Sequence, residues 1–121
     1  MGDLSEHFSK DEMKCKCCGE LIVDPKLLMY LEVLREKVGS PINVHDAYRC
    51  EKHNKEVGGE PASQHLTGKA ADIDIEGLDA AHIFNICRLY RIFSGIGLYD
   101  WGCHLDVRDG EFVTWDSRNR K

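Results

Sequence analysis

The chain has 121 residues, 42% of them hydrophobic, which supplies one buried core and not two, so a single domain over 1–121 is expected. A formal charge of −5 without any Lys/Arg-rich tract excludes the electrostatic footprint of a nucleic-acid binder. The opening "MGDLSEHFSKDEMKCKCCGE" is acidic and polar, and no later stretch approaches membrane-spanning length, so the expectation is a chain made in the cytoplasm, with neither signal peptide nor membrane insertion.

In chain order, the first strong element is "VDPKLLMYLEVLREKVGSP". Asp24 reads as N-cap, Pro25 as the first helical residue, and Leu27, Leu28, Leu31, Leu34 and Val38 form an apolar stripe ended by Gly39 and Pro41. "INVHDAY" alternates and is β-like, with Arg49 at its far end. The paired glycines and proline of "EVGGEPASQ" make a loop that delivers His65. "AADIDI" alternates strictly, which puts Ala71, Ile73 and Ile75 on one face of a strand and Asp72 and Asp74 on the other.

A second helix follows Asp79, with Ile83, Ile86, Cys87, Tyr90 and Phe93 at helical spacing. "GIGLYDWGCHLDVRDGEFVTW" reads as two β-like runs around an Asp109-Gly110 turn, a hairpin signal. These elements describe an α+β domain, a small antiparallel sheet flanked by two main helices.

The six cysteines at positions 15, 17, 18, 50, 87 and 103 read as reduced thiols, because no export signal points to an oxidising compartment. In "CKCCG", Cys15 and Cys17 are spaced C-x-C and no second C-x-x-C pair follows, so buried thiols steadying an N-terminal turn are preferred to a structural zinc. Of the six histidines, His65 stands on the loop before a strand. His104 lies in "CHLDVR", where period two groups Gly102, His104 and Asp106 on one face. Two imidazoles and a carboxylate suit Zn²⁺ with a fourth position left for water; the alternative is ordinary polar residues hydrogen-bonded beside a sheet. His82 and His45 read as packing or surface residues. His7 and His53 lack an acidic or thiol partner at ligand spacing, and Trp101 and Trp115 are either groove-lining or, more commonly for large aromatics beside a sheet, core.

"AYRCEKHNKEVGGEPASQHLTGKAADI" together with "GIGLYDWGCHLDVR" resembles the M15 metallopeptidases, in particular the compact D-Ala-D-Ala carboxypeptidase-like branch common in phages and prophages. The resemblance implies the fold shared with hedgehog-type signalling domains and one Zn²⁺ per chain on His65, Asp72 and His104. It also implies hydrolysis of an amide in peptidoglycan stem peptides or cross-bridges, as carboxypeptidase or endopeptidase. Arg49 matches the arginine of the family's Y-R motif and suits a substrate carboxylate, or else pairs with Glu51 or Asp46; Ser63, two residues before His65, binds substrate or shapes the loop.

Related branches carry an acidic residue three positions before the last zinc histidine, and here that position is Trp101. Asp106 and Asp100 share strand parity with His104 and are the candidate proton acceptors, Asp106 first, although a strand carboxylate equally serves to orient a ligand histidine. The resemblance suits a monomeric phage lysis enzyme that reaches the wall after release, with holin help. The rival readings are a zinc-containing module that binds without catalysis and a phage structural component that holds the cell wall.

Overall fold

The computed structural model describes residues 2–118; Met1 and residues 119–121, at the ends of the expected domain, lie outside the described residues. The elements are α1 (Lys10–Met13), α2 (Pro25–Val38), β1 (Ile42–Asp46), α3 (Glu51–Glu56), a 3₁₀ turn (Gln64–Thr67), β2 (Ala70–Ile75), α4 (Ala80–Tyr90), β3 (Gly95–Leu98), β4 (Cys103–Asp106) and β5 (Val113–Asp116). The fold is α+β, as the patterning implies. Among the described residues no helix is long and apolar enough to cross a membrane.

The two main helices form where capping and periodicity place them. The Asp24 carboxylate accepts the Lys26 N–H at 2.8 Å, Pro25 occupies the first turn, and Gly39 ends α2 at φ 65°, a left-handed conformation that costs glycine nothing. Leu27, Leu31 and Leu34 are buried, each contributing about 1.5–3 kcal/mol by leaving water. α4 starts on the Asp79 cap and stops at Arg91, whose φ of 51° breaks the helical run. Phe93 is therefore buried from beyond the helix, while Tyr90 is exposed. The short α1, α3 and 3₁₀ turns carry too little periodic sequence to stand out.

Among the described residues five strands form one sheet in the order β1-β2-β4-β3-β5. β2 pairs antiparallel with β1 and β4, and β4 with β3, but β5 lies parallel to β3. This corrects the expected hairpin around Asp109-Gly110 and makes the sheet mixed. The physical reason is edge availability: β4 already has β2 on one side and β3 on the other, so the chain after it turns at Gly110 (φ 97°) and reaches the free outer edge of β3. The tight antiparallel turn falls instead at Tyr99–Gly102, between β3 and β4, closed by the Tyr99 N–H on the Gly102 carbonyl at 2.9 Å.

Strand alternation divides the sheet sharply. Ala71, Ile73, Ile75, Ile96, Leu98, Cys103 and Leu105 point into one core with Leu27, Leu31, Leu34, Ile83 and Cys87. The opposite face carries Asp72, His104 and Asp106, with Gly95 and Gly97 alongside them on β3. Trp101, expected in the core, is 49% exposed and stacks on Tyr99 at 5.7 Å.

Candidate metal centre

Asp72 on β2 and His104 on β4 are direct cross-strand partners, so the sheet register itself sets them side by side. His65 arrives from the 3₁₀ turn. The Ser63 hydroxyl accepts the His65 N–H at 3.2 Å and shapes that turn, and the His65 carbonyl accepts the Arg49 N–H at 3.1 Å. One oxygen of each kind thus fixes the backbone on which the imidazole sits. All three side chains are buried, and one donor atom from each lies within 4.8 Å of the others.

Hydrogen bonding settles which ring nitrogens face the centre. His65 Nδ1 is 2.5 Å from the Ala47 carbonyl, an acceptor only, so Nδ1 carries the proton and Nε2 keeps a lone pair. That Nε2 is buried without a hydrogen-bond partner and points at Asp72 Oδ1, 3.3 Å away. His104 Nε2 is 2.7 Å from Asp106 Oδ2 and Nδ1 is 3.1 Å from the same Asp72 oxygen; with the proton on Nε2, at the closer contact, the Nδ1 lone pair faces Asp72. Three electron-rich atoms therefore converge with no proton assigned between them. Ligand atoms at about 2.0–2.1 Å on a tetrahedral ion stand about 3.3 Å apart, whereas a charge-assisted hydrogen bond is about 2.7–2.9 Å. The observed 3.1 and 3.3 Å are spacings compatible with ligand atoms around a divalent cation such as Zn²⁺.

The charges of these groups are coupled. Burial alone would raise the Asp72 carboxyl, but hydrogen bonds and charge from His104 and His65 outweigh it and hold the group well below the usual carboxylate range. For His104, burial favours the neutral ring, and the Asp106 and Asp72 carboxylates raise its pKa against that effect.

Asp106, the first candidate proton acceptor, has its carboxylate engaged by neighbouring side chains. It is fully buried, its Oδ2 takes the His104 N–H, and Arg108 binds the same carboxylate through Nε at 2.9 Å and Nη2 at 2.7 Å. The carboxylate packs over Gly95, where an added Cβ would lie 2.5 Å from both oxygens. Asp100 is exposed in the Tyr99–Gly102 turn; β4 begins only at Cys103, so strand parity does not extend back to it.

A cleft of about 620 Å³ opens over the centre, lined by His65, His104, Arg49, Ser63, Tyr99, Arg108, Trp115 and the 57–63 loop with Glu60. Glu60 is the acidic residue of that lining and is exposed on its loop. Arg49 is held by Asp46 (Nε to Oδ2, 2.6 Å) and Asn54 (Nη1 to Oδ1, 3.0 Å), and its Nη2 reaches Asp72 Oδ2 at 3.5 Å. The Asp46 pairing weighed from sequence therefore forms, and the guanidinium still borders the cleft. Trp115 covers Gly97 and stands 5.1 Å from the His104 ring. Burial and the Asp72 charge push the Tyr99 phenol up to about 12, partly opposed by Arg49, so it is a neutral donor at physiological pH.

Reasoning from sequence overlooked Tyr99, Arg108 and Glu60. The available signal was the alternation of Gly95 and Gly97 in "GIGL", which clears space on the site face for Asp106 and Trp115. His45, read as a packing or surface residue, is bound to Asp74 at 2.9 Å, and His7 finds an acidic partner in Glu32, 25 residues away, at 2.6 Å. Among curated proteins, none matches the chain significantly. The sequence model of the family described as Peptidase M15 matches residues 6–107.

Proposed function

From membership of the Peptidase M15 family, to which this chain belongs, we infer a zinc-dependent peptidase that hydrolyses amide bonds in peptidoglycan stem peptides or cross-bridges. The observation that carries the reading is the convergence of His65 Nε2, Asp72 Oδ1 and His104 Nδ1, three lone pairs facing one another beneath an open cleft. Bound Zn²⁺ supplies Lewis acidity, lowering the pKa of water and polarising the scissile carbonyl.

The remaining chemistry belongs to the side chains. Asp106 fixes the tautomer and orientation of His104 and is itself held by Arg108, a positioning role and not proton transfer. Glu60 takes the proton from the attacking water, as the acidic side chain of the cleft lining, and an exposed loop lets it approach when substrate binds. Tyr99 donates its hydroxyl hydrogen to the carbonyl oxygen as negative charge develops there. Arg49 and Arg108 present positive charge on the cleft wall for a stem-peptide carboxylate. Ser63 serves the His65 turn first and borders the substrate second.

The test is incubation with purified peptidoglycan, followed by mass spectrometry of the released muropeptides. New amino termini, absent with His104→Ala, support hydrolysis; loss of a terminal D-Ala identifies a carboxypeptidase and loss of cross-linked dimers an endopeptidase. The rival reading is a wall-binding module without catalysis. Co-sedimentation with peptidoglycan in the absence of any new amino group would establish that rival and refute the enzyme.

A further inference from the structure

We propose that the protein holds a second, structural Zn²⁺ on the thiolates of Cys15, Cys18 and Cys50, a site separate from the histidine centre. The three sulfurs lie within 4.8 Å of one another, as thiolates about 2.3 Å from a common ion must. Cys15 and Cys18 are the pair that the fold brings together, and their spacing is C-x-x-C followed by Gly19.

The backbone is shaped for metal-bound sulfur. Gly19 takes φ 75° and returns its N–H to the Cys15 carbonyl at 2.9 Å, while the Cys15 N–H bonds the Glu20 carbonyl at 2.8 Å, closing a tight knuckle. The Cys50 N–H points at Cys15 Sγ at 3.4 Å, and the N–H groups of Cys18 and Cys17 bond the same sulfur. Cys50 Sγ receives the His53 N–H at 3.4 Å. Amide donors aimed at sulfur stabilise thiolates, and thiolates are what Zn²⁺ requires. Without an ion, three thiols crowded together with Cys18 exposed would be a liability to oxidation. Buried thiols alone do not describe the cluster, since Cys15 is buried but Cys17 and Cys18 are exposed and Cys50 is half-buried.

A fourth ligand has to come from outside that trio, and Cys17, exposed between Cys15 and Cys18, is the thiol we assign to it. Four thiolates close the coordination shell, which makes the role structural. What the ion would fix is the N-terminal segment against the stretch that ends in Arg49, where the Tyr48 N–H also bonds the Met13 carbonyl at 3.2 Å.

Zinc analysis of the purified, reduced protein should give about two ions per chain, and the His65→Ala/His104→Ala double variant about one. Cobalt loaded into that double variant should show the intense sulfur-to-metal charge-transfer absorption that imidazole and carboxylate do not produce. A double variant without metal or without that band overturns the site. Cys17→Ser in the same background should lower the charge-transfer intensity by about a quarter, in proportion to one thiolate of four; unchanged intensity overturns the place given to Cys17.

Because substituting Cys15 or Cys50 risks the fold, alkylation of the unaltered chain reads the same question. Cys18, though exposed, should resist iodoacetamide until a chelator is added. Equal modification with and without chelator, or protection that only dithiothreitol removes, overturns the proposal, the latter in favour of a disulfide.

Discussion

Asp106→Asn separates a positioning carboxylate from a proton acceptor. In the folded protein the Asp106 carboxylate accepts the His104 Nε2–H at 2.7 Å, two Arg108 side-chain nitrogens, and the Arg108 backbone N–H at 3.1 Å. An amide has the same shape but one acceptor oxygen, so it satisfies His104 or Arg108 and turns an NH₂ toward the other. It also removes the buried negative charge that makes His104 Nδ1 a stronger donor to metal. Loss of such a partner lowers metal affinity by about 10- to 100-fold, equivalent to about 1.4–2.7 kcal/mol. The assay is competition for Zn²⁺ against a chromophoric chelator, with turnover of a muropeptide measured at saturating zinc. The expected result is a weaker Kd, with kcat largely restored by excess zinc. An unchanged Kd with kcat down about a hundredfold at saturating zinc, the scale for losing a general base, would refute this reasoning and return Asp106 to that role.

Glu60→Gln should leave zinc affinity at the wild-type value and lower kcat about a hundredfold, as loss of a positioned base does; a kcat within threefold of wild type, or about that, excludes Glu60. Tyr99→Phe should lower kcat by roughly a hundredfold with little change in KM, the pattern of a donor that acts on the transition state, and a change confined to KM would argue against it. Glu32 answers to pH. Burial would raise its carboxyl, but hydrogen bonds from Ser5 and His7 and the His7 charge together lower it. Its stabilisation is therefore complete above the ordinary Glu pKa of about 4.3 and is lost as pH falls through the lower folded value. Glu32→Gln should lower the melting temperature at neutral pH and flatten the acid limb; a limb parallel to wild type would show that Glu32 does not supply it.

Much of the centre was legible because its signals are local. Strand parity in "AADIDI" and "CHLDVR" separates Asp72 and His104 from the core residues between them, and the glycine-rich loop announces that something is delivered at His65. For Asp106 parity left two roles open, proton acceptor or orienting partner of His104, and only the rotamers show that it meets Nε2 on the side away from Asp72. The misplaced hairpin has a different cause. Asp109-Gly110 is a turn, yet where a turn leads depends on which strand edges are still open, and β4 had none. Cys50 joins Cys15 across 35 residues because β1 and α3 bring it there, a juxtaposition that no spacing rule within "CKCCG" reveals.

Both clusters meet in one short stretch, "DAYRC", and its alternation explains how. Asp46 grips Arg49, the Ala47 carbonyl sets the tautomer of His65, the Tyr48 N–H ties down the N-terminal segment, Arg49 touches Asp72, and Cys50 enters the thiol group. The strand is irregular between Val44 and Asp46, so the register shifts just before these residues, which re-aims the chain from sheet pairing toward the centre. The Ala47 carbonyl as partner of His65 Nδ1 makes ligand geometry depend on backbone position, and that backbone is braced by the N-terminal segment through the Tyr48 N–H on the Met13 carbonyl and the Cys50 N–H on Cys15 Sγ. Slackening at the cysteines would therefore reach the histidine centre through Ala47 without any residue there being altered. The direction of that coupling follows from the hydrogen bond: a displaced Ala47 carbonyl frees the His65 ring to rotate, and a ring free to rotate holds metal less tightly.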